Sequence, residues 1–475
     1  MKWDAIVLAA GEGTRMVSKT PKVLHHVGGQ PMIVRVIEAL NTSGAEHIHV
    51  VISKKIKADL DYLSKIYKNL TFHIQAEPNG TADAVKSVKA NLSEYVLICN
   101  GDHPLMNPQD IHSFIHSAEK KTTDLTVGIL NLKNPGAFGR VILDDAGFAK
   151  EIIEAKHCNE KQLKISTVNS GIYFCKSKRM TEFFLEKSKN NDSAESSNKN
   201  SNKNSSKSAV KGATKNQEFY LTDIVKFLND KKNPVSGFTT TDLMCFGVND
   251  AMALNEANQM AYIILNQELM NKGVKFINAN ATYIEPNAKI EADVLIYPNV
   301  YIFGETEIGT GTIIESGVHI KNSKIGPNTI IKAGSYIEGA KILGYSSIGP
   351  YAHLRDGSEI HENVKVGNFA EVKNSILKKG VKAGHQCYLG DADIGEDTNI
   401  GAGTITCNFA VDGKKYKTII GKNVFVGSDT QIVPPVTIGD YAVLAAGSTV
   451  TKDVESQSLY VTRAKAVTKS NYRKK

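Results

Sequence analysis

The sequence contains no run of about 18 apolar residues, which excludes a membrane-spanning helix. It also lacks a basic stretch followed by an apolar one at its start. Met1-Lys-Trp-Asp-Ala-Ile-Val reads as a strand, so no secretory signal is expected and a cytoplasmic chain is. Cysteine is sparse and scattered: Cys99, Cys158, Cys175, Cys245, Cys387 and Cys407 form no C-x-x-C. Neither a zinc site nor a disulfide framework follows, and reduced, mostly buried thiols are expected. The two common glycine fingerprints are missing as well. In LAAGEGTRMVSKTPK, Leu8 to Lys22, Met16 stands where G-x-G-x-x-G needs its third glycine, and no G-x-x-x-x-G-K-[ST] occurs.

A net excess of either charge is nearly absent from the body of the chain. Of the net +8, residues 187–217 carry +5 and residues 463–475 carry +6, which leaves −3 for the rest. With no aromatic residues among the lysines of 187–217, nucleic acid is not an expected partner. The composition, 41% hydrophobic and 22% charged over 475 residues, is that of a globular protein long enough for two or more domains.

In residues 1–249, apolar runs (Ala5-Ile-Val-Leu-Ala, Ile48-His-Val-Val-Ile, Tyr95-Val-Leu-Ile-Cys) alternate with amphipathic stretches such as Pro31 to Leu40. This pattern predicts βαβ units, a mostly parallel sheet of Rossmann-like α/β type, and ligands at the carboxyl ends of its strands. The Ser/Asn/Lys tract at 187–217 is expected to be a disordered surface insertion. Residues 250–274 predict a linker helix ending at Gly273, with Met252, Leu254, Met260, Ile263, Ile264 and Leu269 as a core stripe.

From 275 to 475 the texture changes. Ile284, Ile290, Ile296, Ile302, Ile308, Ile314 and Ile320 recur every six residues, and the period returns through Ile325, Ile342, Leu377 and Ile420 to Val450. Such a hexapeptide period predicts a parallel β-helix with stacked aliphatics inside. The step from Thr406 to Ile420 is too long for a strand repeat, so CNFAVDGKKYK must contain a loop that leaves the prism. Flat solenoid faces also suit a symmetric oligomer.

Gly11 to Arg15 offers backbone N–H donors and a guanidinium for phosphate, and Lys22 a further cation. A strand-to-helix turn would use the same glycines. Asp102 in ICNGDHPL follows a strand, as a hard-cation ligand would; it serves equally to cap its own backbone in a G-D-x-P turn. His385 has an imidazole suited to taking a proton from an amine, although a solenoid histidine is as readily a surface residue.

The ordered set LAAGEGTRM…PK, QAExxGTADA, NGDHPL, GAFGR, IIEAK, VNSGIY, EFYLTDI and GVN, followed by KAGHQCYLGDADIG and NIGAGTITCN, resembles the bacterial bifunctional N-acetylglucosamine-1-phosphate uridylyltransferase / glucosamine-1-phosphate acetyltransferase family. The resemblance implies a nucleotidyltransferase domain before a left-handed β-helix, a homotrimer, and a role in supplying UDP-N-acetylglucosamine for cell-wall precursors. Mg²⁺ is implied as cofactor, with UTP and acetyl-CoA as co-substrates of glucosamine-1-phosphate and N-acetylglucosamine-1-phosphate. By the same resemblance Leu8, Ala9, Ala10, Gly11, Arg15 and Lys22 take the triphosphate side of UTP, and Gln75, Gly80 and Thr81 the uracil. Asn100 and Gly101 lead to the metal ligand Asp102, Asn249 is the second ligand, and Gly139, Glu154 and Asn169 hold the sugar. His385 is implied as base; Arg355, Lys373, Tyr388 and Asn399 as the glucosamine-1-phosphate site; and Ala402, Asn408, Phe409, Ser428, Ala446 and Arg463 as acetyl-CoA contacts. Asn100, Pro78 and Phe409 depart from the family's usual tyrosine, glutamine and tyrosine, and the loop after Asn408 is longer by about a residue.

Overall fold

The computed structural model describes residues 1–11, 13–77, 79–187, 219–470 and 472–473. Beyond Lys187, the insertion expected at 187–217 lies outside the described residues, as does Pro78. The chain divides into two compact units, Met1–Asn258 and Gln259–Lys475.

The first unit is built on a nine-stranded sheet. Strands Leu70–Ile74, Ile48–Ile52, Trp3–Ala9 and Tyr95–Asn100 lie side by side and parallel, and Thr167–Lys176 then enters antiparallel. Their sequences are almost continuously apolar because both faces are covered. Side-chain alternation sends Ala5, Val7 and Ala9 into one core and Ile6 into another. The helix predicted from Pro31 runs Met32–Thr42, and Pro108–Lys121 begins with Asn107 Oδ1 accepting from Asp110 N at 2.8 Å. Register fixes what meets at the carboxyl edge: Leu8 lies opposite Asn100, and Ala9 opposite Ile52.

The second unit is a prism of parallel strands two to four residues long in most coils. Each coil stacks on the next in register, Ile284 on Ile302, Ile296 on Ile314 and Ile325 on Ile342, so the six-residue aliphatics form one continuous interior. Asn and Asp residues at several corners, Asn299, Asn322, Asp397 and Asn423 among them, take positive φ, which these short polar side chains tolerate. The expected excursion is present. Between strands Ile405–Thr406 and Thr418–Ile420 the chain makes a small hairpin, with Phe409 bridged to Lys415.

A helix spans Ala251–Asn271, but of its expected apolar stripe only Leu269 is among the residues packed against the prism core. Met252 is 75% exposed, while Ala257, Ala261 and Asn266 are the buried positions. At about 100° per residue the six apolar side chains are spread around the helix, so no single side can bury them all. Asn266 is held by its amide, which donates to Ala279 O at 2.7 Å and Thr282 O at 2.9 Å.

Candidate active sites

The carboxyl edge of the first sheet holds a cavity of about 350 Å³. Leu8, Ala9, Ala10, Gly11, Lys22, Gln75, Gly80, Thr81, Asn100 and Asp102 all line it, with Val23, Ala84 and Tyr220. The turn after Trp3–Ala9 is shaped by Gly13, whose φ is +63°; a Cβ there would lie 2.5 Å from Lys22 Cβ. The glycine therefore lets the lysine stem pack across the turn and carry its ammonium into the site. Lys22 Nζ contacts Asp102 Oδ2 and donates to Asn249 Oδ1 at 2.7 Å, and Arg15 donates to the same oxygen at 2.9 Å. Asn249 is brought there by the backbone, since Val248 N donates to Asp102 O at 3.0 Å. Asp102 Oδ1 is buried and has no hydrogen-bond partner among the described residues.

Gly101 is packed under the site: a Cβ would come within 2.9 Å of Ile33 Cδ1 and 3.0 Å of Ala9 Cβ. Gln75 is buried and donates to Asp83 Oδ2 at 3.0 Å and Gly80 O at 3.3 Å. Gly80, at φ +107°, has Phe219 O 2.5 Å from where a Cβ would stand. This close approach, with Leu221 N donating to Thr81 Oγ1 at 3.1 Å, delivers Tyr220 to the cavity wall. The motif EFYLTDI does not mark Tyr220 as a site residue, because only the pairing of residues 79–82 with 219–221 reveals its place.

Gly139, Glu154 and Asn169 do not line this cavity but gather beside one another. Asn169 N donates to Gly139 O at 2.9 Å, a Cβ on Gly139 would lie 3.6 Å from Glu154 Oε2, and Glu154 Oε1 accepts from Thr222 at 3.1 Å. His103 is a second residue that the sequence did not single out. It is 5% exposed, directly after Asp102, and burial above all pushes its pKa down, with Lys22 acting the same way against the pull of Asp102.

In the second unit, His385 lies opposite Asn368 on the adjacent coil, with Nδ1 3.0 Å from Asn368 Oδ1. Arg355 follows Leu354 and Lys373 follows Val372, which are stacked partners, so the two cations occupy equivalent places on successive coils. Arg355 also donates to Glu371 Oε1 at 2.7 Å, and Tyr388 stacks over Ile405 while Asn399 stacks on Phe425. Ala402, Ser428 and Ala446 repeat two positions beyond the stacked Ile400, Val426 and Leu444; Arg463 reaches back to Ala446 O at 3.2 Å. Asn408 is held by its amide on Asp391 Oδ2, whereas Phe409 is 67% exposed. Apart from the buried Asn408, these residues lie on open prism surface. The nearby cavity of about 390 Å³, lined by Asn374, Asp391, Lys415 and Tyr416 among others, includes none of them.

Among the described residues no helix is long and apolar enough to cross a membrane, and the six cysteines are free. A model of the nucleotidyl transferase family matches residues 4–224, and a model of the bacterial transferase hexapeptide (six repeats) matches residues 417–452. With these repeats, the stacked parallel strands are those of a left-handed β-helix. The chain is 41% identical to the bifunctional protein GlmU of Bdellovibrio bacteriovorus, over 98% of this chain and 96% of that protein. It is 40% identical to that of Geotalea daltonii, over 100% and 99%, and 37% identical to that of Listeria monocytogenes serotype 4a, over 99% and 98%. With similarity of this degree running from end to end, the chain is an enzyme and belongs to the bifunctional GlmU family.

Proposed function

We propose that this enzyme makes UDP-N-acetylglucosamine in two steps, in the cytoplasm, for peptidoglycan and lipopolysaccharide precursors. Residues 275–475 acetylate glucosamine-1-phosphate with acetyl-CoA. Residues 1–249 then transfer UMP from UTP to N-acetylglucosamine-1-phosphate and release pyrophosphate, with 250–274 as the connection. The observation that carries the reading is the convergence of ten family-matched residues on one cavity beside the Lys22–Asp102–Asn249 contact.

In the first step the imidazole of His385 takes a proton from the amine of glucosamine-1-phosphate. Asn368 Oδ1 can only accept, so it fixes the ring proton on Nδ1 and leaves the Nε2 lone pair to act as base. The freed amine attacks the thioester carbonyl, the tetrahedral intermediate collapses, and coenzyme A leaves as its thiol. Arg355 and Lys373 supply positive charge for the sugar phosphate, with Tyr388 and Asn399 beside them. Ala402, Asn408, Phe409, Ser428, Ala446 and Arg463 are assigned to acetyl-CoA. A homotrimer, with neighbouring prisms closing these open faces, completes the site.

In the second step the glycine turn, Arg15 and Lys22 grip the triphosphate, Gln75, Gly80 and Thr81 hold the base, and Gly139, Glu154 and Asn169 hold the sugar. A phosphate oxygen of the sugar attacks the α-phosphorus, and pyrophosphate departs toward the cationic turn. The residues fit Mg²⁺: Asp102 Oδ2 and Asn249 Oδ1 already converge on one cation, the Lys22 ammonium, and the buried Asp102 Oδ1 lacks a partner among the described residues. When bound, the ion supplies neutralisation of the charge that develops on the phosphates.

Free thiol and pyrophosphate, followed separately with glucosamine-1-phosphate, acetyl-CoA, UTP and Mg²⁺, test the reading. His385→Ala is expected to stop thiol release while pyrophosphate still forms from added N-acetylglucosamine-1-phosphate; Asp102→Ala is expected to stop pyrophosphate alone. If either substitution stops both reactions, the two-site assignment is wrong.

A further inference from the structure

His103 sits against the cation site without reaching the cavity. At 5% exposure it can touch no substrate, yet its ring is close to two polar groups of the site: Nε2 is 3.7 Å from Asp102 Oδ1 and 3.4 Å from Asn100 Nδ2. The other ring nitrogen, Nδ1, is buried with no hydrogen-bond partner among the described residues. Asp102 Oδ1 is in the same condition.

The missing partner at Nδ1 favours one tautomer. A neutral imidazole carries one proton, and an orphaned buried N–H costs more than an orphaned lone pair, so the proton does not belong on Nδ1. On Nε2 it faces a carboxylate oxygen that can only accept. This tautomer requires the Asn100 amide to be turned so that Oδ1, rather than the donor Nδ2, meets Nε2, an assignment the two atoms allow. The arrangement is built: Gly171, at φ +79°, makes room for the Asn100 amide, and a Cβ there would lie 2.6 Å from Asn100 Nδ2. A separation of 3.7 Å is longer than a formed hydrogen bond. Lys22 draws the other oxygen, and a small rotation of the carboxylate would close the gap.

We propose that His103 is a positioning residue of the cation site, its Nε2–H fixing Asp102 Oδ1 so that Oδ2 is presented to the metal. This rests on the assignment of Asp102 as a metal ligand. Outer partners of this kind tune metal affinity by about 10- to 100-fold.

The probe is Mn²⁺, titrated into the full-length protein and followed by loss of the free-ion EPR signal. His103→Leu and His103→Asn are expected to weaken Mn²⁺ binding by about tenfold or more, the asparagine because its amide falls at the Nδ1 position. His103→Gln, whose amide nitrogen falls near Nε2, is expected to bind like the parent. Should the first two fail to fold, His103→Gln decides by itself: retained affinity supports the proposal and a tenfold loss overturns it. Parent-like binding by a folded His103→Leu also overturns it. Asp102→Ala separates the two levels, because parent-like Mn²⁺ binding there removes the metal assignment itself, whereas its loss beside an unaffected His103→Leu removes only the role of His103.

Discussion

Lys22 is where the first site is held together, since one ammonium meets both Asp102 and Asn249. Its loss leaves two oxygens facing each other and removes a cation from the proposed triphosphate site. Lys22→Ala is expected to lower the pyrophosphate-forming kcat by about 10²- to 10³-fold, as loss of one preorganised donor does, with thiol release unchanged. Comparable loss in both assays would sink this. A second residue-scale effect lies at the sheet's opposite reach, where His49 is 3% exposed, 4.0 Å from Asp4, with its Nδ1 3.0 Å from His73 Nε2 and its ring 4.7 Å from that of His47. Burial, then the charges of His47 and His73, hold its pKa down to about 4 against the pull of Asp4. The unfolded chain therefore takes up this proton first, so the stability tied to His49 is complete above about pH 6.5 and lost as pH falls toward 4. The loss is on the order of 3 kcal/mol. Urea unfolding at pH 7 and pH 4.5 measures it, and His49→Gln should shrink the difference between the two.

At the scale of elements, the prism was legible because its interior repeats every six residues, whatever the surface does. The long step after Thr406 marked a loop for the same reason. How the loop is held was not legible. Asp391 accepts from Asn374 at 2.5 Å on one side and from Asn408 on the other, joining residues 17 positions away in each direction. Asp391→Ala should raise KM for acetyl-CoA more than it lowers kcat, because it frees Asn408 without touching His385; an unchanged KM would refute that link. Stacking also makes Gly367 irreplaceable. A Cβ there would lie 1.8 Å from Gly384 O, between the coils that carry Asn368 and His385. Gly367→Ala is expected to abolish thiol release and spare pyrophosphate release. The linker region shows the opposite case: a helix spans Ala251–Asn271, but six apolar residues spread around the axis do not define a buried face.

For the whole molecule, end-to-end similarity to bifunctional relatives ties both activities to one chain, while the proposed acetyl-transfer residues stand on open prism faces. Tyr351 and Phe369, 58% and 62% exposed with rings stacked 5.8 Å apart, add apolar surface to the prism. The proposed homotrimer would give three times the 51.7 kDa chain mass in light scattering. Dilution that splits the oligomer should end thiol release before pyrophosphate release. A monomer active in thiol release would refute the shared site.

The sequence by itself determined the class of each half, because alternating strands and helices and a six-residue aliphatic period are local consequences of which side chains face inward. It also carried the glycine turn, Asp102 and His385, since ordered motifs travel along the chain. Tertiary structure alone decided that Lys22 and Asn249 meet, that Tyr220 walls the cavity, and that His103 lies behind Asp102. Those contacts depend on strand register and on the space left by Gly13, Gly80 and Gly171, which no spacing along the chain encodes.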